Sequence, residues 1–225
     1  MRIKCLQRYE DISNDCYMEV GDITDVDEQR GKELIYKKFA EKVENENDRI
    51  PIFLSYPRPH LEAQTKFLNI MKRDILSKTN LEPKTLGVTD FYHEPPLIAI
   101  SKIMSESCGL LMVALKQTLI VDGEFRANGD NGLVSKKIEN KWITSPFCHV
   151  EPAMAMQISL PIFILREKDV IQDGVIDNGV AGTYISEVNL SSSVNEYFKT
   201  QEWSQLLVKW TTQVQDFSNG KNKSP

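Results

Sequence analysis

The chain has 225 residues, with 41% hydrophobic and 26% charged side chains, a composition typical of globular proteins. Its longest unbroken apolar run, residues 110–115, is far too short to span a membrane, and residues 1–11 lack the pattern of a signal peptide. We therefore expect no membrane partner. The four cysteines show neither a C-x-x-C pair nor a disulfide-framework spacing, which indicates a reducing, cytoplasmic setting.

The net charge of −5 is concentrated at the N-terminal end of the chain. Residues 1–48 hold 8 basic and 13 acidic side chains, whereas residues 49–225 hold 19 of each. Neither part has the basic surplus typical of a nucleic-acid-binding protein, so we expect no nucleic-acid partner. The polar stretch "VENENDRIP" marks a domain boundary near residue 48.

Residues 1–48 are predicted to form a small acidic α+β module. Weak alternation on both sides of "ISND" (12–15) predicts a hairpin, and a helix capped by Asp25 or Asp27 follows it. A unit of this size buries too little apolar surface to be stable alone.

From Ile50 onward, short apolar strands alternate with helical patterns. Fully apolar strands separated by helices favour a parallel sheet covered on both faces, so residues 49–217 are predicted to form a Rossmann-like, flavodoxin-like α/β domain. Residues 218–225 are predicted to be a disordered tail. The predicted strands are "IPIFLSY" (50–56), "KTLGV" (84–88), "CGLLMVAL" (108–115), "LPIFILR" (160–166) and "AGTYISEVNL" (181–190). The predicted helices cover residues 59–79, 95–107, a segment ahead of "LPIFILR", and 193–217.

Two segments should meet at one edge of this sheet, because each follows a predicted parallel strand. Ligands of such sheets bind at this edge, beyond the carboxyl ends of the strands. One contains Glu151, the single acid in "SPFCHVEPAMAMQISLPIFIL" (145–165). The other is "SYPRPH", between a strand end and a helix start, where backbone N–H groups attract phosphate and Arg58 could clamp a diphosphate. The alternative is a proline-stiffened turn with a surface arginine. The candidate binding residues in "SYPRPH" are Ser55, Tyr56, Arg58 and His60.

These segments resemble those of Toll/interleukin-1 receptor (TIR) domains. "IFLSY" is similar to the opening strand of that family, and "SPFCHVE" is similar to its S-x-W-C-x-x-E helix start, with Phe147 in the Trp place. In catalytic TIR domains this Glu cleaves NAD, so the resemblance implies that role for Glu151. It also implies a gating loop at "TDFYHEPP" (89–96), where Tyr92 and His93 either stack on a base or merely pack.

A second resemblance is to nucleoside 2-deoxyribosyltransferases, which share the spacing of Glu151, Ala155 and Pro161. Two features depart from these families. Pro152 stands where the transferases have an aliphatic residue, and the insert at residues 116–144 is long for a TIR domain. The insert could form a lid or block the substrate.

The residues themselves are consistent with cleavage of a ribosyl C1′–N bond. Its transition state resembles an oxocarbenium ion, which a fixed carboxylate stabilises in a water-poor pocket. The nicotinamide of NAD departs as a neutral ring, so one Glu suffices. A purine nucleoside would need a proton donor, for which His149 or His93 is the candidate. The alternative for Glu151 is a solvated carboxylate at a helix start, with Pro152 as the first helical residue.

The leading hypothesis is therefore a hydrolase that cleaves the N-glycosidic bond of NAD or a related nucleotide through Glu151. A nucleoside or nucleotide N-glycosidase or deoxyribosyltransferase remains an alternative, as does a non-catalytic nucleotide-sensing or protein-interaction module. NAD or a nucleotide would be substrate rather than cofactor, and three scattered histidines argue against a metal site. The resemblance implies self-association and a prokaryotic or phage setting in antiviral defence.

Overall fold

The computed structural model describes residues 2–11, 16–42, 49–91, 93–191 and 194–221. The chain divides into two compact units, Met1–Arg49 and Ile50–Pro225. No helix among the described residues combines the length and apolarity needed to cross a bilayer.

Among its described residues, the N-terminal unit contains five short strands and one helix: β1 (Arg2–Cys5), β2 (Tyr9–Asp11), β3 (Cys16–Met18), β4 (Ile23–Asp25), α1 (Glu28–Tyr36) and β5 (Ala40–Lys42). The β1, β4 and β5 strands form an antiparallel sheet with β1 in the centre, and β2 pairs with β3. The predicted turn at 12–15 lies outside the described residues, between β2 and β3.

Helix α1 begins as predicted at an acidic cap. The Asp27 carboxylate accepts a hydrogen bond from the Arg30 backbone N–H at 2.9 Å, which satisfies one of the free donors of the first turn. Asp27, rather than Asp25, is thus the capping residue. The buried Ile3 and Leu34 bring β1 and α1 into one small apolar core.

The C-terminal unit alternates strands and helices. Its elements are β6 (Ile50–Ser55), α2 (Glu62–Lys78), β7 (Leu81–Lys84), α3 (Pro96–Glu106), β8 (Leu110–Ala114), β9 (Thr118–Phe125), β10 (Lys136–Ile143), α4 (Phe147–Gln157), β11 (Ile162–Glu167), β12 (Ile185–Val188), α5 (Val194–Tyr197) and α6 (Gln201–Lys221).

Five of these strands form a parallel sheet in the order β12-β11-β8-β6-β7. Helices cover both of its faces, which confirms the predicted flavodoxin-like α/β class. The buried run of β8 shows why the strands read as continuously apolar: Leu111 and Val113 join the core under α2 and α6, whereas Leu110 and Met112 join the core under α3 and α4.

The strand order reverses between β6 and β8. The chain runs from β6 outward to β7 on one side, then returns past β6 to β8 and continues to β11 and β12 on the other. The connections leaving β6 and β8 therefore diverge and leave a crevice at the carboxyl ends of these two strands.

The second strand of the sheet was predicted too late in the sequence. It spans Leu81–Lys84 rather than residues 84–88. "TLGV" instead forms a turn, in which Gly87 has a φ of +72° and the Thr85 backbone N–H donates to the Thr89 hydroxyl at 2.7 Å. A glycine in the left-handed region favours a turn over a strand.

The C-terminal helical segment was predicted as one helix and is two. It breaks between α5 and α6, where the Thr200 hydroxyl accepts the Trp203 backbone N–H at 3.1 Å and caps α6. Helix α6 then continues to Lys221, past the predicted end at residue 217. Residues 222–225 lie outside the described residues.

The insert at residues 116–144 folds into an antiparallel hairpin of β9 and β10. Its base is held to the domain by Trp142, whose backbone N–H donates to the Asp169 carbonyl at 3.1 Å and whose carbonyl accepts from the Ile171 N–H at 2.8 Å. Because the insert follows the carboxyl end of β8, the hairpin leaves from the same edge of the sheet as the crevice between β6 and β8.

Candidate functional site

A hydrogen bond between Ser55 and Glu151 spans the crevice at the carboxyl ends of β6 and β8. Ser55 is the last residue of β6, and Glu151 is the fifth residue of α4. The Ser55 hydroxyl donates to Oε2 of Glu151, and the two residues are only 5% and 7% exposed. The sequence-predicted pair thus meets at the edge where the parallel-sheet rule places ligands.

Helix α4 turns Glu151 inward because of the residues on either side of it. Cys148 and Ala155 lie three positions before and four positions after Glu151, on the same helical face, and both are buried in the core under α3 and α4. The side chain of Glu151 is carried into the interior with them.

This arrangement excludes the alternative of a solvated helix-start carboxylate. Helix α4 begins at Phe147, so Pro152 lies inside it rather than at its first position. Pro152 has no N–H to donate to the Cys148 carbonyl, and an interior proline costs a helix about 3 kcal/mol. A buried glutamate next to a helix-breaking residue is not what stability alone would select.

Burial changes the acidity of Glu151. Loss of hydration raises the pKa of its carboxyl from 4.5 to about 7, and the hydrogen bond from Ser55 opposes this rise. The second oxygen, Oε1, accepts no hydrogen bond from any residue that the structure describes. Near neutral pH the site thus offers a carboxylate with one oxygen fixed and the other available.

A cavity of about 250 Å³ opens beside this carboxylate. It is formed by the ends of β6 and β7, the start of α3 and the first turns of α4. Among the described residues, Glu151 is the one charged residue that lines it, so a ligand there would meet a single acid within a mostly apolar wall. The lining residues are Phe53, Leu54, Ser55, Tyr56, Thr85, Leu86, Pro96, Ile100, Phe147 and Glu151.

The structure brings four of the predicted site residues together in this cavity: Ser55, Tyr56, Phe147 and Glu151. Arg58 lines a neighbouring cavity of about 580 Å³ that Tyr56 also lines. His60 lines an open depression of about 740 Å³ along α2, away from Glu151, and its ring lies 6.4 Å from that of Trp142.

The two histidines proposed as proton donors lie elsewhere. His149 precedes Glu151 by two residues, which on a helix is a rotation of about 200°, so it faces the opposite side of α4. There its Nε2 lies 3.6 Å from the Asp173 carboxylate. His93 is exposed and lines none of these cavities, and Tyr92 lies outside the described residues.

A buried polar network that the sequence did not suggest supports the loop after β6. Oε2 of Glu167 accepts hydrogen bonds from Nε2 of Gln64 and from the Lys116 backbone N–H, both at 2.9 Å. Oε1 of Gln64 accepts the backbone N–H groups of His60 and Leu61 at 3.0 and 3.3 Å. The network thus fixes the segment that follows Ser55 and Tyr56. The available signal was the position of Glu167 at the end of a buried strand.

Two further features near the cavity are Cys148 and the insert at residues 116–144. Burial raises the pKa of the Cys148 thiol to about 12, and the Thr144 hydroxyl donates to its sulfur at 3.4 Å, so Cys148 is a protonated core residue rather than a nucleophile. The insert, all of which the structure describes, contributes no residue to the Glu151 cavity.

Comparisons with known proteins add little to this picture. No protein-family model and no curated protein sequence matches the chain. Among solved structures, it is similar to the TIR domains in the structure of the activated Roq1 resistosome directly recognising the pathogen effector XopQ. The match has a TM-score of 0.35 and 11% identity and covers 76% of this chain and 84% of that chain. At this score the similarity carries no argument, and the fold class rests on the sheet order.

The acidity of Glu151 predicts a specific dependence of stability on pH. Because the folded-state pKa of about 7 lies above the value of 4.5 for an exposed Glu, the folded state holds its proton longer than the unfolded state. The contribution of this group to the free energy of unfolding is fully present below pH 4.5 and falls by about 3 kcal/mol as the pH rises to 7.

Glu151→Gln removes this titration. Urea unfolding between pH 4.5 and 8 should therefore show the variant gaining stability relative to the wild type as pH rises. The matched control is Glu106→Gln, which makes the same change at an exposed position, and the Glu151→Gln difference should change with pH more than that of the control. A Glu151→Gln difference that is equally flat with pH would contradict the buried placement of the carboxylate.

Proposed function

We propose that the C-terminal unit hydrolyses the N-glycosidic bond of NAD or a related nucleotide, with Glu151 as the catalytic carboxylate. The observation that carries this proposal is the single buried acid lining the cavity at the β6–β8 crevice. Its free oxygen Oε1 would face the ribose, while the Ser55 hydroxyl holds the other oxygen in place.

The proposed step needs few groups. The C1′–N bond breaks with its electron pair going to the nicotinamide ring nitrogen, so the cationic ring departs neutral. Positive charge then develops on the sugar, and ionised Glu151 stabilises it within an apolar wall, where electrostatic attraction is stronger than in water. Water adds to C1′ through a new C1′–O bond and releases one proton to the solvent. No proton donor to the leaving group is required, which fits the placement of His149 and His93 away from Glu151.

The resemblance to TIR domains supports the choice of NAD within this class of substrates. The proposal extends to self-association and to a role in antiviral defence in a prokaryotic or phage setting, where such a reaction would deplete NAD or generate a nucleotide signal. Both extensions rest on the resemblance alone.

Incubation of the full chain with NAD should release nicotinamide, which chromatography detects. Glu151→Gln should lower kcat by about 100-fold or more, since it removes the charge that is complementary to the transition state while preserving size and hydrogen-bonding capacity. Glu106→Gln should behave like the wild type. Equal release by Glu151→Gln, in protein shown to be folded by its thermal transition, would contradict the proposal.

The pH profile separates this reaction from acid-assisted cleavage of a neutral nucleoside. NAD cleavage needs ionised Glu151, so kcat/KM should rise with pH and level off above about 7, the pKa of the Glu151 carboxyl. A nucleosidase using protonated Glu151 as its acid would instead lose activity above this pH, and release of a purine or pyrimidine with that profile would favour it.

Ser55→Ala gives this profile an internal check. Without the hydroxyl donor, burial alone sets the pKa of Glu151, so the midpoint of the NAD profile should move to higher pH. A midpoint that stays in place or moves downward would show that the profile reports another group.

A further inference from the structure

A second cavity adjoins the one that Glu151 lines. It has a volume of about 580 Å³ and shares the lining residues Tyr56, Thr85 and Leu86 with the first. The two cavities differ in charge. In the part of the chain that the structure describes, Glu151 is the one charged residue lining the first cavity. Arg58 and Lys72 are the charged residues lining the second, and no described acid lines it.

Lys72 is held in this second cavity without an anionic partner. Its side chain is half-buried on α2, with Nζ 2.7 Å from the Tyr56 hydroxyl and 4.8 Å from the centre of the Tyr56 ring. Among the described residues, no carboxylate pairs with Lys72 or Arg58. By contrast, Lys78 on the same helix pairs with Asp74 at 2.8 Å.

This placement makes the second cavity suited to an anion. A phenol oxygen accepts one ammonium hydrogen and leaves the others free to donate. Partial burial strengthens the attraction for an incoming negative charge, and the absence of a lining carboxylate removes a competitor for it. Arg58 adds a second cation at an exposed position on the same wall.

We propose that this second cavity binds the phosphate of the substrate, with Lys72 as its principal ligand and Arg58 as a supporting one. The proposal rests on the function proposed for Glu151. Tyr56 lines both cavities, so a substrate placed across it would have its ribose at Glu151 and its phosphate at Lys72. The substrate class is then a phosphorylated nucleotide. A free nucleoside would occupy only the cavity that Glu151 lines.

Three substrates that share one scissile bond test this inference. NAD and nicotinamide mononucleotide carry phosphate, whereas nicotinamide riboside does not. The wild type should prefer the mononucleotide over the riboside by about 10-fold or more in kcat/KM, the effect expected of a hydrogen bond between charged groups. Lys72→Met should reduce this preference by a similar factor, mainly through KM, and Lys72→Arg should restore part of it. Lys66→Met, which removes an exposed cation from the same helix outside this cavity, should leave the preference intact.

An equilibrium measurement tests the phosphate site without turnover. Calorimetric binding of the mononucleotide and the riboside to Glu151→Gln should show the same preference. The preference for the mononucleotide over the riboside should be lost in the double variant Glu151→Gln/Lys72→Met and kept in Glu151→Gln/Lys66→Met. Failure of the wild type to cleave any of the three substrates would overturn the proposed function, and these binding data would still decide the phosphate site. Equal binding of both ligands, or equal loss of the preference with Lys66→Met, would overturn the phosphate site.

Discussion

The hydrogen bond from Ser55 to Glu151 connects the first strand of the sheet to helix α4 across the crevice where the strand order reverses. Everything proposed about this protein depends on that contact. The contact requires the Glu151 carboxylate to be buried and to lose its hydration. The Ser55 hydroxyl holds one carboxylate oxygen, and the other oxygen remains available at the cavity. Burial of the acid, the rise of its pKa and its chemical use are consequences of one placement.

The fold creates this placement at a cost in stability. The parallel order brings the end of β6 to the crevice, and the apolar face of α4 that carries Cys148 and Ala155 turns Glu151 toward it. A hydrocarbon side chain at position 151 would avoid the loss of hydration, and a residue other than Pro152 would complete the helical hydrogen bonds. Features that weaken a fold locally are more common at functional sites than elsewhere.

The two adjoining cavities differ in the sign of the charged residues that line them. Glu151 lines one cavity, Lys72 and Arg58 line the adjoining one, and Tyr56 lines both. In the proposed binding mode, Glu151 would face the ribose and the two cations would face the phosphate. The buried network of Gln64 and Glu167 holds the loop that carries Tyr56 and Arg58. These hydrogen bonds therefore hold the loop that is proposed to contact a nucleotide.

The sequence predicted the parallel sheet because continuously apolar strands alternate with helical patterns. It raised Ser55 and Glu151 as candidates through the parallel-sheet rule and through the resemblance of their segments to TIR domains. It placed β7 too late because Gly87 marks a turn within an apolar run. It also missed Lys72, since a lysine in the middle of a helix looks the same whether it faces solvent or a cavity. The position of His149 was predictable: two residues along a helix turn a side chain away from its neighbour.

The account is tested most directly by the titration of Glu151 itself. NMR of the full chain with ¹³C-labelled glutamate carboxyl groups, compared with Glu151→Gln for assignment, gives the pKa of this one side chain. The account predicts a resonance that is absent from the variant and titrates near 7. A Glu151 resonance that titrates near 4.5, the value of an exposed glutamate, would show that the carboxylate lies in water and would contradict the proposed site.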